Sequence, residues 1–310
     1  MIPLALIVKV NVNGVDHDLK LNTANGKYEA TVQAPSASSY NVNVGHYFPV
    51  TVTATDEAGN STSVNDTSSL GDSLKLYVKE RIAPTITSVS PSSGANMTTS
   101  NPKISFKLLD NANGQTSGFS GIDISTLKLT VKGKSIDVSK ITATPITGGY
   151  QCEYTPAEAL EDGSCTYSIY VSDFDGNTSN TVTTTFKIDT QPPTLNVTSP
   201  ETGIYTNKEK ITVSGNTSDQ TSSPVSITIK VGSTDQGEVT VNNDGTFNHT
   251  VTLENGLNTI TVIATDTAGK TSTVTKTVTL KTDAPVITSV TISPNPVDGG
   301  TTYTISVEVE

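Results

Sequence analysis

Three short turns hold the densest groups of hard oxygen donors in the sequence: Asp56–Asn60, Asp173–Asn177 and Asp266–Lys270, each reading Asp-x-x-Gly-Asn/Lys or a close variant. Carboxylates and amide carbonyls at this spacing could bind calcium. Asp173, Asp175 and Asn177 form the densest case. The same pattern also has a conformational use, because the Asp accepts its own turn's amides and the Gly takes the left-handed position. Calcium needs about six or more oxygens, and each turn offers two or three. The turn-locking reading therefore comes first, calcium second, and no cofactor is expected.

Other reactive residue types are sparse. Cys152 and Cys165 flank the loop Pro156 to Gly163. They read as small buried residues or as a disulfide pair, the latter only if their Cα atoms lie within about 7 Å. A metal site would need further Cys or His ligands nearby, and there are none. His17, His46 and His249 are far apart in sequence, each on or beside a strand. No Gly-rich phosphate loop, nucleophile elbow or Cys/His dyad spacing occurs. The 30 acidic residues show no distinguished pair, and without Trp no sugar cleft is suggested. The chain is not expected to be an enzyme. Tyr40 and Tyr47 sit in a loop with Phe48 beside them and could form a contact surface; alternatively Tyr47 and Phe48 pack at the start of the strand Val50 to Ala54.

These residues must be held by strands. Val and Thr favour strands while Asn, Ser and Gly supply turns. Alternation of period two is clear at Tyr167 to Val171, Thr259 to Ala264 and Val274 to Leu280. Asn13-Gly14, Asn25-Gly26 and Asp244-Gly245 predict tight hairpins. Apolar residues Ile2 to Val8 predict a strand entering the first hairpin. Pro156 to Glu161 could form one helical turn, and no longer helix is expected. The class is all-β.

Internal repetition sets the organisation. From Pro84 to Ile104 is 20 positions, from Pro285 to Ile305 also 20, and from Pro193 to Ile211 18. The stretch Leu6 to Val32 aligns with Ile227 to Val251, which begins one strand further along a repeat. This gives an incomplete first domain over 1–82, whole domains over 83–190 and 191–283, and two opening strands over 284–310. Repeats of this size suit β-sandwiches. Prolines 84, 192, 193 and 285 make the linkers short and stiff, predicting an elongated rod. In the first repeat the interval from the Asp turn to the next Pro is 28 residues against 19 in the others, placing an insertion near Asn65 to Asp72.

The net charge of −11 with scattered Lys and Arg argues against a nucleic-acid partner. Neither a targeting segment nor a membrane-spanning stretch is evident, so no membrane insertion is expected.

The segments TATDEAGNSTS, YVSDFDGNTSN and VIATDTAGKTSTV resemble the late strand-turn-strand of bacterial immunoglobulin (Ig)-like domains. Asp110 to Lys134 and Asn242 to Asp266 are similar to other stretches of such domains. The first 32 residues further resemble the N-termini of Ig-like proteins in phage and prophage tail modules. The resemblance implies tandem Ig-like sandwiches and leaves function open, since this fold hosts adhesins, spacers and virion parts alike.

The expected function is a non-catalytic structural component of a phage virion, associated with tail or baseplate. Its partners would be other copies of itself or other virion proteins, with weak contact to a cell-surface glycan. Ile305, Val307 and Val309 would complete a first domain near Leu6 and Val8, that of a neighbouring copy ahead of that of the same chain. The alternatives are a fragment of a secreted adhesin or surface enzyme, located extracellularly or at the cell surface, and a head or neck decoration protein.

Overall fold

The computed structural model describes residues 6–111 and 117–310. The first part of the predicted opening strand and residues 112–116 of the Asp110 to Lys134 stretch lie outside them. The chain divides into two compact units, Met1–Ile188 and Asp189–Glu310. The first holds the expected segment 1–82 together with the expected segment 83–190 up to Ile188, and the second begins at Asp189 and holds the rest. Among the described residues there is no α-helix, only 3-10 turns at Gly71–Leu74 and Val138–Lys140. The first of these falls in the expected insertion. The helical turn predicted at Pro156 to Glu161 is absent, for a visible reason. Asn101 donates its amide to the Pro156 carbonyl at 2.8 Å, and the Leu160 amide goes to Ser100 at 2.8 Å. The pair that would close the turn is used elsewhere.

The first segment contributes β1 (Ile7–Val12), β2 (Val15–Asn22), β3 (Lys27–Glu29), β4 (Phe48–Thr55), β5 (Ser61–Val64) and β6 (Lys75–Leu76). They form one sheet in the order β3-β2-β1-β4-β5, with β6 also on β4. Asn13 and Gly14 both take positive φ, as the predicted β1–β2 hairpin turn requires. Register places Val8, Val10 and Val12 opposite Ala54, Val52 and Val50, giving this sheet one apolar face.

The second segment is a complete two-layer sandwich. Its strands are β7 (Thr85–Ser90), β8 (Asn96–Met97), β9 (Ile104–Leu109), β10 (Ile122–Val131), β11 (Lys134–Ile136), β12 (Thr142–Ile146), β13 (Gly149–Tyr154), β14 (Gly163–Asp173) and β15 (Val182–Ile188). One sheet runs β12-β13-β9-β7 and the other β11-β10-β14-β15-β8. Ile104, Phe106 and Leu108 from the first sheet meet Leu127, Leu129, Tyr167, Ile169 and Phe186 from the second in one buried core. Alternation along β9 and β14 produces this core, because residues two apart share a face.

The third segment repeats the plan. It has β16 (Thr194–Ser199), β17 (Ile204–Thr206), β18 (Lys210–Ser218), β19 (Ser226–Val231), β20 (Thr234–Asp235), β21 (Thr246–Thr252), β22 (Gly256–Thr265) and β23 (Thr271–Leu280). Sheets β16-β18-β21 and β17-β23-β22-β19-β20 enclose Val213, Phe247, Val251, Ile260, Val262 and Val278. The last segment is a lone antiparallel pair, β24 (Ile287–Ser293) and β25 (Thr304–Val309). Strands β7, β16 and β24 each end on a Ser that a Pro follows.

Candidate functional site

Strand correspondence identifies what the first and last segments are. Pairs β7–β9 and β16–β18 open the two whole sandwiches, and β24–β25 is the same antiparallel pair. The second sheet of each sandwich has the local order β11-β10-β14-β15 or β20-β19-β22-β23, and β2-β1-β4-β5 repeats it. The first segment thus has one sheet with the strand order of a sandwich's second sheet, and the last segment has the opening pair, with different strands in each.

The same positions are buried in one context and exposed in the other. Ile104, Phe106 and Leu108 are fully buried, whereas Ile305, Val307 and Val309 are 55%, 49% and 56% exposed. Register sets Ile292 opposite Ile305 and Val290 opposite Val307, so the hairpin has one apolar face. Ser306 and Glu308 take the other, as alternation requires. Of the first-segment residues expected at a junction, Leu6 is exposed at 41% and Val8 is buried, flanked on β1 by Leu19 of β2 and Ala54 of β4. Val15 and Leu21 leave much of their surface uncovered. Neither buried core cluster contains a first-segment residue.

A second observation concerns β3. Gly26-Lys27-Tyr28 corresponds to Gly245-Thr246-Phe247, and the Leu21–Tyr28 pairing matches the bridge from Val241 to Phe247. Strand β21 then continues to Thr252 because β18 pairs with it, residue for residue, from Lys210 to Asn216. Strand β3 stops at Glu29. Among the described residues no strand pairs with Ala30 to Val32.

The loop aromatics face inward or stack on one another. Tyr40 lies between His46, with ring centroids 4.0 Å apart, and Phe174 at 4.4 Å. Tyr47 donates its hydroxyl to Asp66 at 2.8 Å, which raises its own pKa, and meets the edge of Tyr77. Phe48 is 3% exposed and starts β4 opposite Leu76. Its side chain is thus core, leaving Tyr40 and Tyr47 with internal partners.

The Asp turns do lock themselves. Asp56 accepts from the Ala58 and Asn60 amides, Asp173 from Asn177, and Asp266 from Ala268 and Lys270. Two of them also join acids from elsewhere. Glu80, Asp110 and Asp173, all buried, bring one carboxylate oxygen each within 4.8 Å of one another, and so do Asp189, Asp219 and Asp266. Asp175 is not in the first group; it accepts the Glu80 amide at 2.9 Å. Asn177 bridges the acids, donating to Asp173 at 2.8 Å and to Glu80 at 3.0 Å. Burial, against the pull of the Ile82 amide and helped by the adjoining Asp173 carboxylate, pushes Glu80 up to about 7. Burial likewise lifts Asp110 to about 6, against a hydrogen bond from Gly121.

Sequence reading missed Glu80, Asp110, Asp189 and Asp219, although a signal was present. Glu80 and Asp189 each stand four residues before the opening Pro, and Asp110 and Asp219 each directly follow the second strand.

Cys152 and Cys165 are free and buried, on facing sheets. Burial pushes Cys152 up to about 12, leaving an inert thiol at neutral pH. His249 bonds the Gln236 carbonyl at 2.8 Å, and His46 that of Tyr40. Among the described residues no helix is long and apolar enough to cross a membrane.

Residues 93–190 match the sequence model of a bacterial Ig-like domain, and 193–282 that of domain B of glucodextranase. A curated relative, bacillopeptidase F of Bacillus subtilis (strain 168), is 33% identical over 128 residues, 41% of this chain and 8% of that protein. Among solved structures, the fibronectin(III)-like modules of Clostridium thermocellum CbhA are similar at 15% identity and TM-score 0.38, covering 64% of this chain and 94% of that one. Titin domains A168–A170 are similar at 12% and TM-score 0.41, covering 88% and 86%. The chain is an all-β protein of Ig-like modules arranged in tandem.

Proposed function

We propose that this chain is a non-catalytic structural protein in which the hairpin β24–β25 of one copy completes the open half-sandwich β1–β5 of another. The observation that carries this reading is the contrast between Ile104, Phe106 and Leu108, fully buried, and Ile305, Val307 and Val309, about half exposed at the same positions of the repeat. Pairing would cover those side chains, and each fully buried aliphatic side chain contributes roughly 1.5–3 kcal/mol. It would also give Ala30 to Val32 the strand partner that β21 has in β18. Added strands gain affinity from main-chain hydrogen bonds and specificity from alternate side chains.

A phage virion is the setting we favour, supported by the resemblance of the first 32 residues to tail-module proteins. Repeated self-joining modules suit such an assembly. A second reading is favoured by the match to bacillopeptidase F, of which the chain spans 8%: these modules would be spacers within a larger secreted enzyme.

Sedimentation velocity over a hundredfold concentration range separates the outcomes. The parent chain should associate as concentration rises. Val307→Asp should shift association at least tenfold toward higher concentration, because a carboxylate placed in an apolar interface must be desolvated. A parent chain that stays monomeric at every concentration, or a variant that associates like the parent, contradicts the reading.

A further inference from the structure

We infer that the two carboxylate triads, Glu80–Asp110–Asp173, all buried, and Asp189–Asp219–Asp266, in which Asp219 is half-buried, are two copies of one calcium site. They are built alike. Each takes one acid from four residues before the opening Pro, one from directly after the second strand, and one from the first position of the Asp-x-x-Gly turn. Three segments distant in sequence converge twice on the same constellation. Chance placement of solvated acids does not produce that.

Hydrogen bonding leaves specific oxygens unexplained. Asp110 uses Oδ2 for the Gly121 amide, while its Oδ1 is buried without a partner. Asp266 spends Oδ1 on its own turn, and Oδ2 is buried without a partner; Asp189 bonds Gln191 through Oδ1, and its Oδ2 is again unpartnered. These three residues are 1%, 5% and 1% exposed. A buried carboxylate oxygen without a donor costs several kcal/mol unless a cation or proton meets it. Hydrogen bonds within the protein meet both oxygens of Glu80 and of Asp173 and do not meet these.

The spacing fits calcium. Oxygens on one calcium lie about 2.3–2.6 Å from it, so two of them can be up to roughly 5 Å apart, and each triad's lie within 4.8 Å. Calcium accepts irregular shells completed by water and carbonyls, whereas magnesium demands near-octahedral geometry and holds its water. The first repeat supplies an internal control. Asp56 opens the same turn, is not part of either group and, like Asp173, has both oxygens met within its turn, in contrast to Asp266, whose Oδ2 is unpartnered.

The test is calorimetric titration of calcium chloride into the whole chain after chelator treatment and desalting. Two calcium ions should bind per chain. Asp110→Asn and Asp266→Asn should each remove one, the double variant both, and Asp56→Asn neither. Calcium should raise the parent's melting temperature by about 5 °C or more, and the double variant's not at all. Asn relieves charge repulsion, so in chelator the double variant should melt no lower than the parent, which separates lost binding from lost folding. The parent titration needs no variant. No uptake at millimolar calcium, two ions retained by the double variant, or a larger response to magnesium than to calcium would each overturn the assignment.

Discussion

Tyr167 is fully buried, and its hydroxyl donates to the Pro91 carbonyl at 2.8 Å, tying β14 to the end of β7 in the opposite sheet. Tyr167→Phe strands that carbonyl and should cost about 1–1.5 kcal/mol, read as a melting temperature lower by roughly 4–10 °C. Gly149 is a sharper case. A Cβ there would lie 1.8 Å from the Leu108 carbonyl oxygen, an approach that backbone cannot relieve cheaply. Gly149→Ala should therefore destabilise by more than about 2 kcal/mol, seen as a lower denaturant midpoint in chemical unfolding. Turn chemistry at this scale was readable from the sequence, because an Asp that accepts its own amides needs only local residues. The triads were not, because Glu80, Asp110 and Asp173 become neighbours only through sheet geometry. The aromatic loop was ambiguous for the same reason: Phe174, on which Tyr40 stacks, is far away in sequence.

At the scale of elements, strand type and alternation were legible wherever one face is core, as along β9 and β14. The strand Ile305 to Val309 is equally legible, yet its apolar side chains lie open. Alternation reports the face a strand is built to bury, not whether a partner is present. Strand β3 makes the complementary point. Its sequence matches β21, but three residues pair where β21 pairs seven. The helical turn at Pro156 failed because Asn101 and Ser100, both distant in sequence, take the hydrogen bonds it needed.

At the scale of the whole chain, the sequence runs from a single sheet through two two-layer sandwiches to a lone strand pair. The repeat lengths lead to the expectation that the last pair completes a first sheet, and the exposed faces of that pair support the proposal. The register of the third segment sharpens it. Val213 pairs with His249 and Ile211 with Val251, so Val307 should meet Ala30 and Ile305 should meet Val32. Directly opposed residues in an antiparallel pair bring Cβ atoms about 4.5–5.5 Å apart, within disulfide reach after small adjustment. The native thiols are buried and do not compete. The most direct measurement mixes a chain carrying Ala30→Cys with one carrying Val307→Cys under mild oxidation and reads the products on a non-reducing gel. Strand sharing between copies predicts a mixed disulfide dimer, strongly reduced when the second cysteine is moved one residue to Ser306→Cys, which faces away. Equal cross-linking at both positions, or none at either, would contradict it.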